Sequence, residues 1–444
     1  MGINLHTPFD IFYSIVLFFI LLGFTNSTVR KNINKYPYYK DYKKGFFLKI
    51  IGGTSFCLIY ILYYEGGDTV NYFKGVNAMF EVFKDNPFRY FQLFFHDSDA
   101  FTSNAFYKVK TYPPSYMVND TRTFTVIKIS SLFSLPGLGG FLPTTMLLST
   151  FIYNWVWKLY SFMIERYPQK ELEVKIAILF LPSTLFWGSG IMKDTFAFGA
   201  TCYAFYGLNE FFIKKNRKIS VILQLVLAFY LIITVKAYIM FALLPGLLLY
   251  INFERVKSIK STFIKIIILP ISIAAIFILI NTLFFDFNDL FGKYSADKLL
   301  EEAAIQNADL QRSFYGSNSF NIGEFEPTLN GVLQKFIPAV NAAMFRPYIW
   351  ETGSATMLIS GIENIILLLL TAWVILTKPI RLIKSLRMDP FLLFCLLFTL
   401  VLGFGVGLST SNFGALVRYK IPFLPFFVFL ILTSLRSKKV NKEN

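Results

Sequence analysis

Charge is scarce in this 444-residue chain. Asp, Glu, Lys and Arg make up 16% of it, against about 25% in soluble globular domains. With 55% hydrophobic residues and a mean hydropathy of +0.53, that shortfall excludes a soluble enzyme and a disordered chain. Cysteine is nearly absent. Cys57, Cys202 and Cys395 lie far apart in apolar stretches with no CxxC pair, which excludes a disulfide scaffold and leaves no support for a thiol metal or redox centre. His6 and His96 are the only histidines, too few for a histidine-based relay. There is no GxxxxGK[ST], and no GxGxxG introducing a βαβ unit, so no nucleotide is implied. Lys and Arg are missing before the first apolar run, MGINLHTPFD. The start therefore reads as a first transmembrane helix with its N-terminus outside, not as a cleaved leader.

What is abundant is apolar and aromatic surface. The 52 Phe and 25 Tyr suit rings that face lipid or sit at its interface. A spanning helix needs about 20 apolar residues. Eleven such spans are read, roughly 10–28, 46–64, 141–163, 175–190, 195–213, 219–235, 237–253, 264–284, 354–377, 390–408 and 421–435. The fold class is thus an all-α polytopic membrane protein forming a single transmembrane domain.

The net charge of +16 would suit nucleic acid, but its distribution argues otherwise. Of 43 basic residues, 25 fall in six short clusters, at 30–44, 166–175, 214–218, 255–265, 378–387 and 436–442. The loops 65–123 and 285–351 carry 6 basic against 7 acidic and 5 against 9. Starting outside, every basic cluster lands inside and both long loops outside, as the positive-inside rule requires. The expected topology has an outer N-terminus and a cytoplasmic C-terminus. Membrane lipids, including anionic headgroups, are the expected surroundings.

The first outer loop contains an amphipathic stretch, Val76–Phe95, expected to lie on the membrane surface in two pieces divided by Pro87. The segment 124–140, with Pro136 and three glycines, is expected to be re-entrant or interfacial. The second loop opens with an acidic amphipathic helix, Tyr294–Leu310. It continues as SFYGSNSFNIGEFEP, which reads as a lid or substrate-ordered loop.

Ionisable groups near the spans carry the functional reading, because burying a charge costs several kcal/mol unless it is paired or wet. In EGGDTVNYFKG, two glycines let Asp68 turn back over the membrane mouth as a general base, with Glu65 the second candidate. The alternative is a solvated N-capping aspartate. In LPSTLFWGSGIMKDT, Lys193 would contact a phosphate and Asp194 orient a hydroxyl, or Asp194 would simply cap the next span. Lys236 either snorkels to headgroups or adds to a phosphate site. In FRPYIWETGS, Arg346 beside aromatic rings suits a phosphate or sugar, with Glu351 nearby. Tyr348 and Trp350 would otherwise be interface anchors. Glu363, deep in a span, needs a partner that the sequence does not name. In STSNFGALVRYKIPFLPFF, Arg418 is the strongest phosphate candidate, with Lys420 beside it. The alternative there is an ordinary interfacial Arg–Tyr pair. Five cations and three acids at one level would fit an amphiphile with an anionic head, such as a polyprenyl phosphate or diphosphate carrying a sugar.

These elements resemble membrane-embedded glycosyltransferases of the GT-C type and related bacterial envelope polysaccharide polymerases. The shared features are GGDT after an early span, a first outer loop with surface helices, a P-S-x-x-F-W span followed by KD, and a final RYKIPFLP. That resemblance implies a GT-C-like bundle in the bacterial inner membrane. It implies transfer of a sugar or repeat unit from an undecaprenyl-type carrier on the extracytoplasmic face. It names no cofactor and leaves divalent metal use open, the nearest DxD being Asp97 and Asp99. In this chain the acid follows the second span, which implies an extra N-terminal helix. Two further classes remain: a transporter or flippase of a lipid-linked or anionic substrate, and a noncatalytic scaffold of an envelope assembly.

Overall fold

A computed structural model of the chain describes residues 7–257, 299–310 and 319–435, with scattered positions between 259 and 282. The described elements are helical, and the only β-pairing among them is an isolated antiparallel bridge between Ser319 and Asn412. In chain order the α-helices are α1 (Pro8–Asn32), α2 (Tyr42–Leu62), α3 (Asp68–Asp85), α4 (Pro87–Gln92), α5 (Ala100–Val109), α6 (Ser115–Asn119), α7 (Thr121–Ser134), α8 (Phe141–Arg166), α9 (Glu171–Leu179), α10 (Pro182–Trp187) and α11 (Lys193–Leu208). They continue with α12 (Ile219–Lys236), α13 (Tyr238–Lys257), α14 (Leu299–Leu310), α15 (Leu329–Gln334), α16 (Phe336–Phe345), α17 (Ala355–Thr377), α18 (Pro379–Met388), α19 (Pro390–Ser409), α20 (Phe413–Tyr419) and α21 (Leu424–Leu435).

Among the described residues six helices are long and apolar enough to cross a membrane, or seven if α20 and α21, bent by 71°, make one span. Eleven were expected. The shortfall has physical causes. α8 is long enough but carries Asn154 and Lys158 as well as several Thr and Ser residues, which lower its hydropathy. The expected span 175–190 breaks between α9 and α10 at Pro182, whose ring cannot continue a helix. The expected span 195–213 is a 16-residue helix finished by a π-turn, Asn209–Ile213. The expected span 264–284 falls largely outside the described residues, as do 285–298 and 311–318 of the second loop.

Helix starts follow side-chain caps, each satisfying a backbone N–H that the first turn leaves open. Thr7 and Asp10 form a reciprocal capping box on α1. Asn86 accepts from Arg89 N at 3.0 Å, so α3 stops and α4 restarts at Pro87. Asp99, Asp120, Ser354 and Asp389 cap α5, α7, α17 and α19 in the same way. The segment 124–140 is helical up to Ser134, and its irregular part is confined to the turn around Gly139.

The chain divides into two compact units. The first comprises residues 1–164, 184–203 and 230–236. Its α2 packs closely on the turn between α10 and α11. A Cβ on Gly52 would stand 2.1 Å from Leu185 O, and one on Gly190 would stand 2.1 Å from the Phe56 ring. Three carbonyls of that buried turn are taken by side chains. Lys49 Nζ donates to Gly188 O at 2.5 Å, Ser149 Oγ to Ser189 O at 2.7 Å and Thr195 Oγ1 to Gly190 O at 2.6 Å. Buried non-helical backbone is tolerable only with such partners.

The second unit comprises residues 165–183, 204–229 and 237–444. Phe205, Tyr250, Phe391, Phe394 and Phe426 form an aromatic core with ring centroids 4.8–6.5 Å apart. Arg166 bonds Glu254 at 2.6 Å and Asp389 at 2.8 Å. That fixes the chain at residue 166 to the end of α13 and the start of α19.

Candidate functional site

In the first unit, α2 ends in a turn with Glu65, Gly66 and Gly67 at positive φ (50°, 155° and 102°). This turn makes Gly67 the N-cap and Asp68 the first residue of α3. Asp68 and Glu65 are both solvent-exposed. Nearby, Asn71 Nδ2 donates to the Tyr116 hydroxyl at 3.0 Å and Lys74 Nζ to Asn71 Oδ1 at 3.2 Å. Burial raises the Tyr116 pKa, the Asn71 bond opposes that rise, and the negative charge of Asp68 adds to it. Asp68 is therefore a carboxylate open to water within a polar surface group of Asn71, Lys74 and Tyr116.

Lys193 and Asp194 open α11, and each is held by a partner of its own. Lys193 Nζ lies 2.7 Å from Asp120 Oδ2. Asp120 also caps α7 through Thr123 N, so one carboxylate joins two helices. Burial acts to raise the Asp120 pKa but is outweighed by the bonds from Lys193 and Thr123, which bring it down to about 2. Asp194 Oδ1 lies 2.5 Å from Lys236 Nζ, with the two side chains only 4% and 8% exposed. Neighbouring residues on a helix point about 100° apart, which explains why two adjacent charges find two different partners. Lys236 lies within the protein and does not reach out to headgroups.

In the second unit the FRPYIWE stretch forms a connected polar set. Arg346 Nε lies 3.0 and 3.1 Å from the Glu351 oxygens, and a second guanidinium nitrogen, Nη2, also bonds that carboxylate. Glu351 Oε2 accepts Tyr348 N at 2.9 Å. The guanidinium lies over the Phe320 ring at 4.5 Å and the Phe413 ring at 5.3 Å, and those two rings stack on each other. Phe320 is brought there by its backbone N–H, which donates to Ser411 O at 2.8 Å. Beside the pair, Tyr348 and Trp350 stack at 5.0 Å, and Trp350 is 76% exposed.

Lys420 is fully buried, and its Nζ donates to Asn364 Oδ1. Asn364 Nδ2 in turn donates to Pro347 O at 3.0 Å. Lys420 thus reaches the Arg346–Glu351 stretch through Asn364 and has no exposed surface to offer a ligand. Arg418 is half-buried with its guanidinium 6.0 Å from the Tyr419 ring. Glu363 Oε2 accepts the Ser183 N–H at 3.0 Å. Glu363 Oε1 has no hydrogen-bond partner among the described residues.

The partners Asp120, Asn364, Phe320 and Phe413 are not among the residues that sequence reasoning singled out. Asp120 carried a signal, an Asp directly before a helical run, but a cap does not announce a distant lysine. Of the nearest DxD, Asp97 lies 3.3 Å from Lys128. Asp99 caps α5 and takes His96 Nδ1 at 2.6 Å. No cluster of three or more His, Cys, Asp or Glu side chains suited to a metal ion occurs among the described residues. Comparison of the chain with family models, curated proteins and solved structures returned no match.

Proposed function

We propose that the protein is a membrane glycosyltransferase. It would move a sugar from a polyprenyl-(di)phosphate carrier to an acceptor hydroxyl on the extracytoplasmic face, in envelope glycan synthesis. One observation carries the reading: the half-buried Arg346–Glu351 pair, clamped over Phe320 and Phe413 and flanked by the half-buried Tyr348 ring and the exposed Trp350 ring. A guanidinium set on rings keeps a planar fork suited to phosphate oxygens, and an exposed ring suits a sugar face.

In the reaction the acceptor oxygen bonds to the anomeric carbon as the carbon–oxygen bond to the carrier breaks. The (di)phosphate leaves with that electron pair. A carboxylate takes the acceptor's proton, and Arg346 meets the charge growing on the leaving group. Asp194 is closed off by Lys236.

The test is transfer from a synthetic polyprenyl-diphosphate sugar by purified protein in vesicles. Arg346→Ala should lower product at least tenfold, with the protein still folded. Full activity in that variant would defeat the site assignment. A second reading, transport of a lipid-linked or anionic substrate, draws on Lys49, Glu363 and Lys420, ionisable side chains buried in helices or at a helix break. It predicts net movement across the same vesicles with no covalent product.

A further inference from the structure

α18 is a short basic helix of the second unit. It runs Pro379–Met388, PIRLIKSLRM, and contains no buried residue. It connects α17 and α19, both long and apolar enough to cross a membrane. Ten residues of helix cover about 15 Å, half of the roughly 30 Å that a crossing requires. α18 therefore cannot carry the chain across, and it lies at the face where α17 ends and α19 begins.

Both ends of α18 are held. Before it, Lys378 Nζ donates to Leu435 O at the end of α21. After it, Asp389 accepts from Arg166 at 2.8 Å and Tyr167 at 2.6 Å, and caps α19 through Phe391 N at 3.0 Å. Between these anchors the helix offers Arg381, Lys384 and Arg387, spaced i, i+3, i+6 and so sharing one side. Residues 378–388 include no acid, and no salt bridge occurs at Lys384 or Arg387 among the described residues. Ile380, Ile383 and Met388 are exposed around the cations, Ile380 by 81%.

We propose that α18 is an interfacial helix that binds anionic phospholipid headgroups of the leaflet it meets. Arg381, Lys384 and Arg387 take the phosphates, and Ile380, Ile383 and Met388 enter the acyl boundary. The aliphatic stems of the cations run along the same apolar level, which lets their heads rise to the phosphates. Basic clusters directly beside a span select anionic over zwitterionic lipid because each cation adds attraction to the leaflet's surface charge. The inference rests on membrane crossing alone and is independent of the glycosyl reading.

Trp373, exposed and six residues before Pro379, provides a local reporter. The full chain is placed in vesicles containing a minority of brominated phosphatidylglycerol or brominated phosphatidylcholine. The quenching assigned to Trp373 is the difference from Trp373→Phe. The wild type should prefer the anionic lipid by up to roughly a hundredfold, about 1 kcal/mol for each of three cations. The preference should vanish in Arg381→Gln/Lys384→Gln/Arg387→Gln and persist in Arg381→Lys/Arg387→Lys. If the triple variant fails to insert, wild type in 1 M salt takes its place, because screening there falls to about 3 Å. Equal quenching by the two lipids, or a preference that survives both the triple variant and high salt, overturns the proposal. So does a preference lost on the lysine exchange, because attraction to the leaflet's surface charge needs only the positive charge that lysine keeps.

Discussion

Breaking the Asp194–Lys236 pair separates structure from catalysis most cleanly. The two side chains meet at 2.5 Å with only 4% and 8% of their surface exposed. Water therefore does not screen them, and the 0.2–1 kcal/mol typical of surface pairs does not apply. Removing one partner leaves the other charge buried and uncompensated, at a cost of about 3–5 kcal/mol. Asp194→Asn and Lys236→Met should each lower stability by that amount, a factor of roughly 10² to 10³ or more in the folding equilibrium. The double variant should be far less damaged than the two losses summed, because it buries no lone charge. Equilibrium unfolding in detergent, with helical signal as the readout, measures all four corners of the cycle. Additive losses below about 1 kcal/mol would refute the argument. So would an Asp194→Asn protein of normal stability that makes no product, since that would place the carboxylate on substrate.

Asp120 has a pKa held at about 2, below its ordinary 3.8. Its contribution is therefore complete above about pH 4 and is lost as pH falls through 2. Because its side chain is 45% exposed, the effect should stay under about 1 kcal/mol; melting curves between pH 5 and 2.5 should fall more steeply for wild type than for Asp120→Asn. Gly52→Ala would drive a methyl to 2.1 Å from Leu185 O and should cost about 1–3 kcal/mol, read as a lowered denaturation midpoint; an unchanged midpoint would show that α2 can shift away. Lys420→Met and Asn364→Ala should both reduce product and lower stability, whereas Arg346→Ala should reduce product with a smaller loss of stability. A Lys420→Met protein that is stable and fully active would show that the Lys420–Asn364–Pro347 chain positions nothing.

Much of the secondary structure was legible because it rests on local chemistry. The restart of the helix at Pro87 follows from a ring that cannot continue a helix, and the break at Pro182 has the same origin. The span count was less legible. Apolar composition by eye takes 141–163 as a span although Asn154 and Lys158 lower the hydropathy of α8, and it takes 195–213 as one run although the α-helix there ends at Leu208. Pairing across the sequence was not legible at all. Nothing local in MVNDTRT indicates that its aspartate meets a lysine 73 residues later. Nor does an asparagine at 364 announce that it joins a lysine at 420 to a carbonyl at 347.

Those long-range pairs change what the cations can do. Counted along the sequence, Lys193, Lys236, Arg346, Arg418 and Lys420 look like five charges open to one anionic ligand. In the fold, Lys193 is bound to Asp120, Lys236 is bound to Asp194 away from water, and Lys420 is wholly enclosed with Asn364. A phosphate could reach Lys236 or Lys420 only after displacing a buried partner, which costs more than a new surface contact returns. Arg346 differs in kind. Its rings hold the guanidinium in place, its carboxylate partner is only partly enclosed, and part of its own surface remains accessible. An arginine's five donors exceed what one carboxylate accepts, so Arg346 can keep Glu351 and still receive an oxygen from a ligand. For that reason variants at Arg346 should act on substrate affinity and turnover, while variants at Lys236 and Lys420 should act first on folding.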